Sequence, residues 1–223
     1  MKTFRTKILG TGSFVPDKIL TNDDIAKRVE TNHQWIVERT GIHARRIADP
    51  SKDELPSGMA KQAALRALEM ANLTPNDIDL ILFSVTMPDM NFPNTASMLQ
   101  FKLGMTNNCA CLDINAACSG WVYGYPMADA LIKTGVYKHI MLVGCEMTSA
   151  FNNWDDRNTC ILFGDGCGVT ILGRSGENEE SEVYRSVLSS DSSKKDHLIL
   201  PAGGAAKKIT KEVSIPVLVM HET

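Results

Sequence analysis

Two apolar runs set the fold class of this chain. Leu80-Ile81-Leu82-Phe83-Ser84-Val85 and residues 139–144 show almost no alternation of apolar and polar side chains. A strand with one wet face alternates. A strand apolar on both faces belongs inside a sheet that is covered on both sides. The segments around these runs have helical spacing instead. Ala60, Ala63, Ala64, Ala67, Leu68 and Ala71 recur at the helical period and predict a helix over 59–71. Thr21-Asn22-Asp23-Asp24 opens another, with a small polar cap and carboxylates in the first turn. Further helices are expected over 94–103, closed by Gly104, and from Cys118 to about Thr134, stopped by Gly135 and kinked at Pro126. Strands alternating with helices give an α/β layered fold around a buried sheet.

Three local expectations complete this reading. Residues 7–9 form a short strand closed by a turn at Gly10-Thr11-Gly12-Ser13. Residues 159–163 and 169–172 form a hairpin joined by Gly164-Asp165-Gly166-Cys167-Gly168. Residues 175–181 are polar and acidic, a boundary between halves, and a new strand follows over 183–188. Neither glycine cluster reads as a phosphate loop. The first lacks a third glycine and has Pro16 close behind, and the second has no helix for an anion to cap.

Composition narrows the setting. With 223 residues and 43% hydrophobic content the chain can bury a core as one large domain or two small ones. A net charge of −3 gives no reason to expect nucleic acid or an anionic membrane as partner. The basic Met1-Lys2-Thr3 start is followed by an apolar run too short for a signal peptide, broken by Gly10 and Gly12. No segment approaches the roughly 18 apolar residues of a membrane span. The six cysteines, Cys109, Cys111, Cys118, Cys145, Cys160 and Cys167, are too sparse for a disulfide scaffold and mostly sit in apolar runs. A cytoplasmic protein with reduced thiols is expected. Cys109 and Cys111 have no second pair at zinc-site spacing, so no metal and no cofactor are expected.

Cys118 stands apart from the other thiols. A run that can be a strand, residues 111–115, meets small residues, then this cysteine, then a helix-compatible segment. That order places a thiol at a helix N-terminus, where a thiolate is stabilised. Ala116, Ala117, Ser119 and Gly120 leave room for a substrate. An ordinary thiol of pKa ~8.5 is only a few per cent thiolate at neutral pH, and a helix terminus contributes at most ~2 kcal/mol towards its ionisation. On chemistry alone, a nucleophile and a small buried core residue both remain open.

Asp113-Ile114-Asn115-Ala116-Ala117-Cys118-Ser119-Gly120-Trp121-Val122-Tyr123-Gly124 resembles the nucleophile segment of the 3-oxoacyl-[acyl-carrier-protein] synthase III family. Other segments carry the same resemblance. Ile8-Leu9-Gly10-Thr11-Gly12-Ser13-Phe14-Val15-Pro16 is similar to the family's opening strand and turn. Trp35-Ile36-Val37-Glu38-Arg39-Thr40-Gly41-Ile42 is similar to its W-I-x-x-R-T-G-I signature. Asp156-Arg157-Asn158-Thr159 and Phe163-Gly164-Asp165-Gly166 are similar to its D-R-x-T…F-G-D-G block, and Leu198-Ile199-Leu200-Pro201-Ala202-Gly203-Gly204 to the loop that follows.

The resemblance implies a thiolase-like layered α-β-α-β-α fold, here with an incomplete second half: residues 1–176 as the nucleophile-bearing half and 177–223 as the opening of the other. It implies a homodimer and a two-step reaction that starts type II fatty-acid synthesis. A cysteine takes an acyl group, often acetyl, from acyl-CoA, and the thioester then condenses with malonyl-acyl-carrier protein, losing carbon dioxide. Carried over by motif, Cys118 is the acyl acceptor, and its backbone N–H helps stabilise the oxyanion. Trp35 and Arg157 sandwich the CoA adenine, Arg39 binds a CoA phosphate and Thr40 is a nearby polar contact. Phe92 reaches into the partner subunit's acyl pocket, with Phe163 and Leu198 as further pocket candidates. Phe163 fits a core position slightly better.

Two departures matter. The family's second step uses a histidine from an H-Q-A-N segment and an asparagine from an N-T-S segment. None of His33, His43, His139, His197 or His221 is followed by Gln-Ala-Asn, and neither Asn94-Thr95 nor Asn158-Thr159 matches the other. Condensation by this chain is therefore expected to be absent or very slow. Trp121 also stands where the family often has Phe, and Cys167 where it usually has Ala. An acyltransferase carrying the nucleophile half and a catalytically incomplete remnant that binds acyl-CoA or dimerises both remain open. A related polyketide or hydroxymethylglutaryl-CoA synthase type does too.

Overall fold

The structure is a computed structural model and describes residues 4–181, 183–208 and 219–220. His221 and the basic Met1-Lys2-Thr3 lie outside the described residues. In chain order the elements begin with β1 (Thr6–Phe14), β2 (Ile19–Thr21), α1 (Asn22–Ala26), α2 (His33–Thr40), β3 (Ala44–Arg46) and α3 (Pro56–Ala71). Then come β4 (Leu80–Ser84), α4 (Thr95–Lys102), β5 (Ala110–Ile114), α5 (Gly120–Lys133) and β6 (His139–Met147). The last are α6 (Arg157–Cys160), β7 (Asp165–Arg174), β8 (Leu198–Ile199) and β9 (Val219–Met220). No helix among the described residues is long and apolar enough to cross a membrane.

The chain divides into two compact units. One comprises Met1–Pro16, Ala48–Met147 and Gly166–Leu188; the other comprises Asp17–Ile47, Thr148–Asp165 and Ser189–Thr223.

The first unit holds a five-stranded sheet in the order β1-β7-β6-β4-β5. β4 runs parallel to both β5 and β6, and β1 runs antiparallel to β7. All five residues of β4 are buried, as its unbroken apolar run predicts. Period-two alternation sends its side chains to two different cores. Ile81, Phe83 and Val85 join Met141, Val143, Met59, Ala63 and Leu99 on the face covered by α3 and α4. Leu80 and Leu82 join Ile140, Leu142, Ala128 and Ile132 beneath α5. Each fully buried side chain of the size of Phe83 or Leu82 contributes about 1.5–3 kcal/mol.

β1 corrects one expectation: Gly10-Thr11-Gly12-Ser13 is not a turn but the middle of a nine-residue strand. The physical reason lies in α3. A Cβ on Gly12 would sit 2.1 Å from the Ala63 carbonyl oxygen, and one on Gly10 would sit 2.4 Å from that of Ala67. The glycines let helix and strand backbones touch, and the alanine stripe of α3 is the other half of that contact.

Two further expectations fail. Residues 159–163 and 169–172 do not form a hairpin. Asp156 accepts the Asn158 N–H at 3.0 Å and caps a short helix, α6, while β7 starts at Asp165 and pairs with β1 instead. The antiparallel element expected there is therefore β1–β7. Residues 183–188 form no strand; Tyr184 and Val187 are exposed, so nothing buries an apolar face there.

The second unit is built on smaller pieces. β2 pairs antiparallel with β3, and β8 with β9. Ile25, Ile36, Cys160 and Ile161 form its core, with Leu20, Val29, Trp35 and Trp154 packed against it. Through this core runs a buried guanidinium. Arg45 is 4% exposed and donates to the Ile161 carbonyl through Nε at 3.2 Å and again through Nη2. Its Nη1 donates to Asn22 Oδ1. Burial pulls its pKa down.

Candidate active site

The approach to Cys118 is set by β5 and the first turns of α5. Asp113, near the end of β5, accepts the backbone N–H groups of Thr95 and Ala96 at 2.7 and 2.8 Å. Asn94 caps the same helix through the Ser97 N–H at 3.1 Å and donates to the Cys111 carbonyl at 3.0 Å. The strand end is thereby fastened to the start of α4. Beyond it the backbone bends sharply. Ala116 has φ −136° and ψ 29°, and Ala117 has φ 45°, the left-handed region that an alanine rarely adopts. A 3-10 turn over Ala117–Ser119 follows, with the Ser119 N–H on the Ala116 carbonyl at 3.1 Å, and runs into α5. Cys118 is thus in a tight turn ahead of the helix rather than in its first residue. The leading N–H groups of such a helix have no intrahelical partner and point towards this end.

Close backbone packing holds the turn in place. A Cβ on Gly120 would lie 1.8 Å from Ser84 Oγ, so the first residue of α5 sits directly on the end of β4. One turn on, a Cβ on Gly124 would lie 2.4 Å from Leu142 Cδ1. The signature's glycines are there because α5 lies flat on the sheet.

Exposure separates the six thiols. Cys118 is exposed; Cys111 is half-buried; Cys109, Cys145, Cys160 and Cys167 are buried. Cys118 is therefore not a core residue, and the small-hydrophobe reading fits the others instead. Burial pushes the thiols of Cys145 and Cys160 up, which holds them neutral. Cys109 is pushed up first by its hydrogen bond with Cys111 and then by burial. Cys167 lies in the large core of the first unit.

The second unit brings together three of the residues singled out from the sequence. The Arg39 guanidinium lies over the Trp35 ring at 4.1 Å from its centroid, and that of Arg157 at 4.8 Å. Arg157 also donates to the Glu30 carbonyl at 3.3 Å. Two planar cations beside one indole make an aromatic, electropositive site that suits an anionic ligand. The rest of that signature is scaffolding. Thr40 Oγ1 donates to the Ile36 carbonyl at 2.7 Å and accepts the Ile42 N–H at 3.1 Å. Gly41, at φ 70°, closes α2 in a conformation that favours glycine. Asp165 of the F-G-D-G block accepts both the N–H and the hydroxyl of Ser149, at 2.8 and 2.5 Å.

The pocket candidates are divided between the two units: Phe92 in the first, Phe163 and Leu198 in the second. Phe92 is 84% exposed, in the loop between β4 and α4. Phe163 is half-buried and is not part of the core of its unit, and Leu198, in β8, is 45% exposed. A cavity of about 180 Å³ in the second unit is lined by Lys18, Leu20, Arg28, Ile47, Ser149 and Trp154, none of them singled out from the sequence. Arg45 and Glu146 carried no signal in the sequence, and Asp113, although it opens the nucleophile segment, was given no role of its own. Arg45 is buried and Asp113 and Glu146 are half-buried, which composition alone does not distinguish from a solvated charge.

The model of the 3-Oxoacyl-[acyl-carrier-protein (ACP)] synthase III family matches residues 112–192. A beta-ketoacyl-[acyl-carrier-protein] synthase III of Caldanaerobacter subterraneus subsp. tengcongensis is 46% identical over 207 residues, which are 92% of this chain and 60% of that protein. One from Thiobacillus denitrificans is 51% identical over 172 residues, 77% of this chain and 53% of that protein. The crystal structure of 3-oxoacyl-[acyl-carrier-protein] synthase III from Aquifex aeolicus VF5 superposes with a TM-score of 0.83 at 40% identity, covering 91% of this chain and 63% of that one. A priming beta-ketosynthase of a polyketide biosynthetic pathway superposes with a TM-score of 0.86 at 28% identity, covering 98% of this chain and 64% of that one. The chain thus spans roughly three-fifths of the length of the curated relatives it matches.

Proposed function

We propose that this chain, which over the stretch it spans is similar in sequence and in thiolase-like fold to the 3-oxoacyl-[acyl-carrier-protein] synthase III family, is a member of that family and an acyltransferase whose nucleophile is Cys118. The thiolate of Cys118 attacks the carbonyl carbon of acetyl-CoA, a new carbon–sulfur bond forms, and the CoA thiolate leaves with the electron pair of the broken thioester bond. The reaction is covalent catalysis on sulfur. Backbone N–H groups at the turn ahead of α5, that of Cys118 among them, stabilise the oxyanion.

In this reading Trp35 and Arg157 hold the CoA adenine and Arg39 a CoA phosphate. Thr40 acts by closing α2, which keeps Trp35 and Arg39 on one helix. Phe92, Phe163 and Leu198 bound the acyl pocket, Phe92 that of a second copy in a homodimer. Neither metal nor further cofactor takes part. The setting is the cytoplasm, where thiols stay reduced, and all six cysteines are free. The second step, decarboxylative condensation with malonyl-acyl-carrier protein, uses the histidine of an H-Q-A-N segment and the asparagine of an N-T-S segment. This sequence has neither, so the proposal for these 223 residues is acyl transfer and CoA binding.

The observation that carries the reading is the exposure of Cys118, alone of the six thiols, in a constrained turn that leads into α5. Incubation with radiolabelled acetyl-CoA tests it. The chain should retain label that hydroxylamine releases, and Cys118→Ala should retain none. A folded wild-type chain that takes no label would show a remnant without the acyl-transfer step.

A further inference from the structure

Glu146 is a half-buried carboxyl group to which the reading above gives no task. Its position follows from strand register. Ser84 lies level with Gly144 across β4 and β6, and level with Ile114 across β4 and β5. All three strands are parallel, so Thr86, Glu146 and the turn that carries Cys118 lie at the same, C-terminal edge of the sheet. Alternation along β6 fixes the face as well. Ile140 and Leu142 pack beneath α5, whereas Met141, Val143, Cys145 and Met147 pack on the other side. Gly144 lies against Trp121 of α5, where an added Cβ would be 3.6 Å from that side chain. By period two, Glu146 points to the same face as Gly144, the side of the sheet on which Cys118 and α5 sit.

Its hydrogen bonds go to one segment. Glu146 Oε1 accepts the Thr86 N–H at 2.6 Å, and the Met87 N–H also hydrogen-bonds to the carboxyl. Both belong to the loop over residues 85–94, which carries Phe92. The loop is tied a second time by Asp89, which accepts the N–H of Ser57 at 2.9 Å and its hydroxyl. Oε2, by contrast, is buried with no hydrogen-bond partner among the described residues.

We propose that Glu146 is a positioning residue for the acyl-transfer reaction: it fixes the first residues of the 85–94 loop beside the Cys118 turn and so sets which acyl chains reach the sulfur. This rests on the acyl-transfer reading given above. Burial raises the carboxyl pKa. Oε1 accepts the Thr86 amide and Oε2 is free of solvent. A glutamine keeps that acceptor; an alanine does not.

The test compares Glu146→Gln and Glu146→Ala with the wild-type chain. Three quantities are read: the ratio of Cys118 acylation rates with acetyl-CoA and hexanoyl-CoA, amide exchange at Thr86 and Met87, and alkylation of Cys118 by iodoacetamide. Glu146→Gln should match wild type in all three. Glu146→Ala should shift the acyl ratio by about tenfold or more, the scale expected when a reacting group is held about an ångström out of place. It should also speed exchange at Thr86 and Met87, while leaving iodoacetamide alkylation close to wild type. Glu146→Leu serves in its place if the alanine variant does not fold. An unchanged acyl ratio in an acylated Glu146→Ala or Glu146→Leu chain would overturn this inference alone. So would a glutamine variant as impaired as the alanine one. A wild-type chain that accepts neither acyl group would overturn the acyl-transfer reading and this inference with it.

Discussion

Replacing Gly120 by alanine perturbs the seat of the nucleophile without touching any reacting atom. The added Cβ would meet Ser84 Oγ at 1.8 Å, Ser84 Cβ at 2.9 Å and Ser84 Cα at 3.8 Å. The hydroxyl can rotate away from the first contact, but no rotation of Ser84 moves its Cβ. Sliding α5 outward is resisted one turn later, where Gly124 is packed on Leu142. The cost belongs at the upper end of the range for overpacking, about 3 kcal/mol. At about 2–4 °C per kcal/mol for a chain of this size, Tm should fall by about 6–12 °C. The partner substitutions grade the effect. Adding Ser84→Ala removes the shortest contact and leaves the 2.9 Å one, so it rescues part of the loss. Adding Ser84→Gly removes both and leaves an ordinary contact at 3.8 Å, so its coupling with Gly120→Ala should reach about 2 kcal/mol. Thermal unfolding followed by circular dichroism measures the series. A loss below about 0.5 kcal/mol for Gly120→Ala, the level of an ordinary surface change, would refute the close seating of α5 on β4. Equal rescue by Ser84→Ala and Ser84→Gly would also do so.

Arg45→Ala removes the donor shared by Asn22 and the Ile161 carbonyl and should cost about 2–4 kcal/mol; Arg45→Lys, lacking the planar fork, should not restore it, and full recovery in urea denaturation would contradict this. Asp113→Ala strips two N–H groups at the start of α4 of a charged acceptor and should cost about 2 kcal/mol, read as a lower denaturation midpoint at unchanged slope. Glu146 gives a pH signature. Burial raises its folded pKa above the unfolded value, so its contribution is complete below the unfolded carboxylate range and is lost as pH rises through the folded pKa. Wild type should therefore lose stability relative to Glu146→Gln as pH rises above the ordinary carboxylate range, and a pH-independent difference would exclude a raised carboxyl pKa.

The buried sheet was legible because β4 and β6 carry their burial in composition: a strand covered on both faces has no polar positions to place. The α3 helix was legible for the complementary reason, a stripe of alanines at the helical period. Gly10 and Gly12 misled, because a glycine in a strand that touches a helix backbone looks in sequence like a glycine in a turn. The hairpin expected around Gly164 failed in the same way. Asp156 caps a four-residue helix too short to show a period, and β7 takes a partner, β1, that is distant in sequence. At the site, Cys118 stood out by its small neighbours, Trp35 and Arg39 by one family motif and Arg157 by another. Their stacking became evident only when α2 and α6 were placed. Glu146 gave no local signal and Asp113 no sign of its own role, because their importance lies in amides that other segments turn towards them.

The account centres on one thiol among six, so the decisive measurement is which cysteine carries the acyl group. After incubation with acetyl-CoA under non-reducing, mildly acidic conditions, peptide mapping by mass spectrometry should place the acetyl thioester on Cys118. The buried Cys109, Cys145, Cys160 and Cys167 should remain unmodified, as should Cys111. Acetyl found on Cys111, spread over several cysteines, or unchanged in Cys118→Ala would contradict the assignment of Cys118 as the nucleophile.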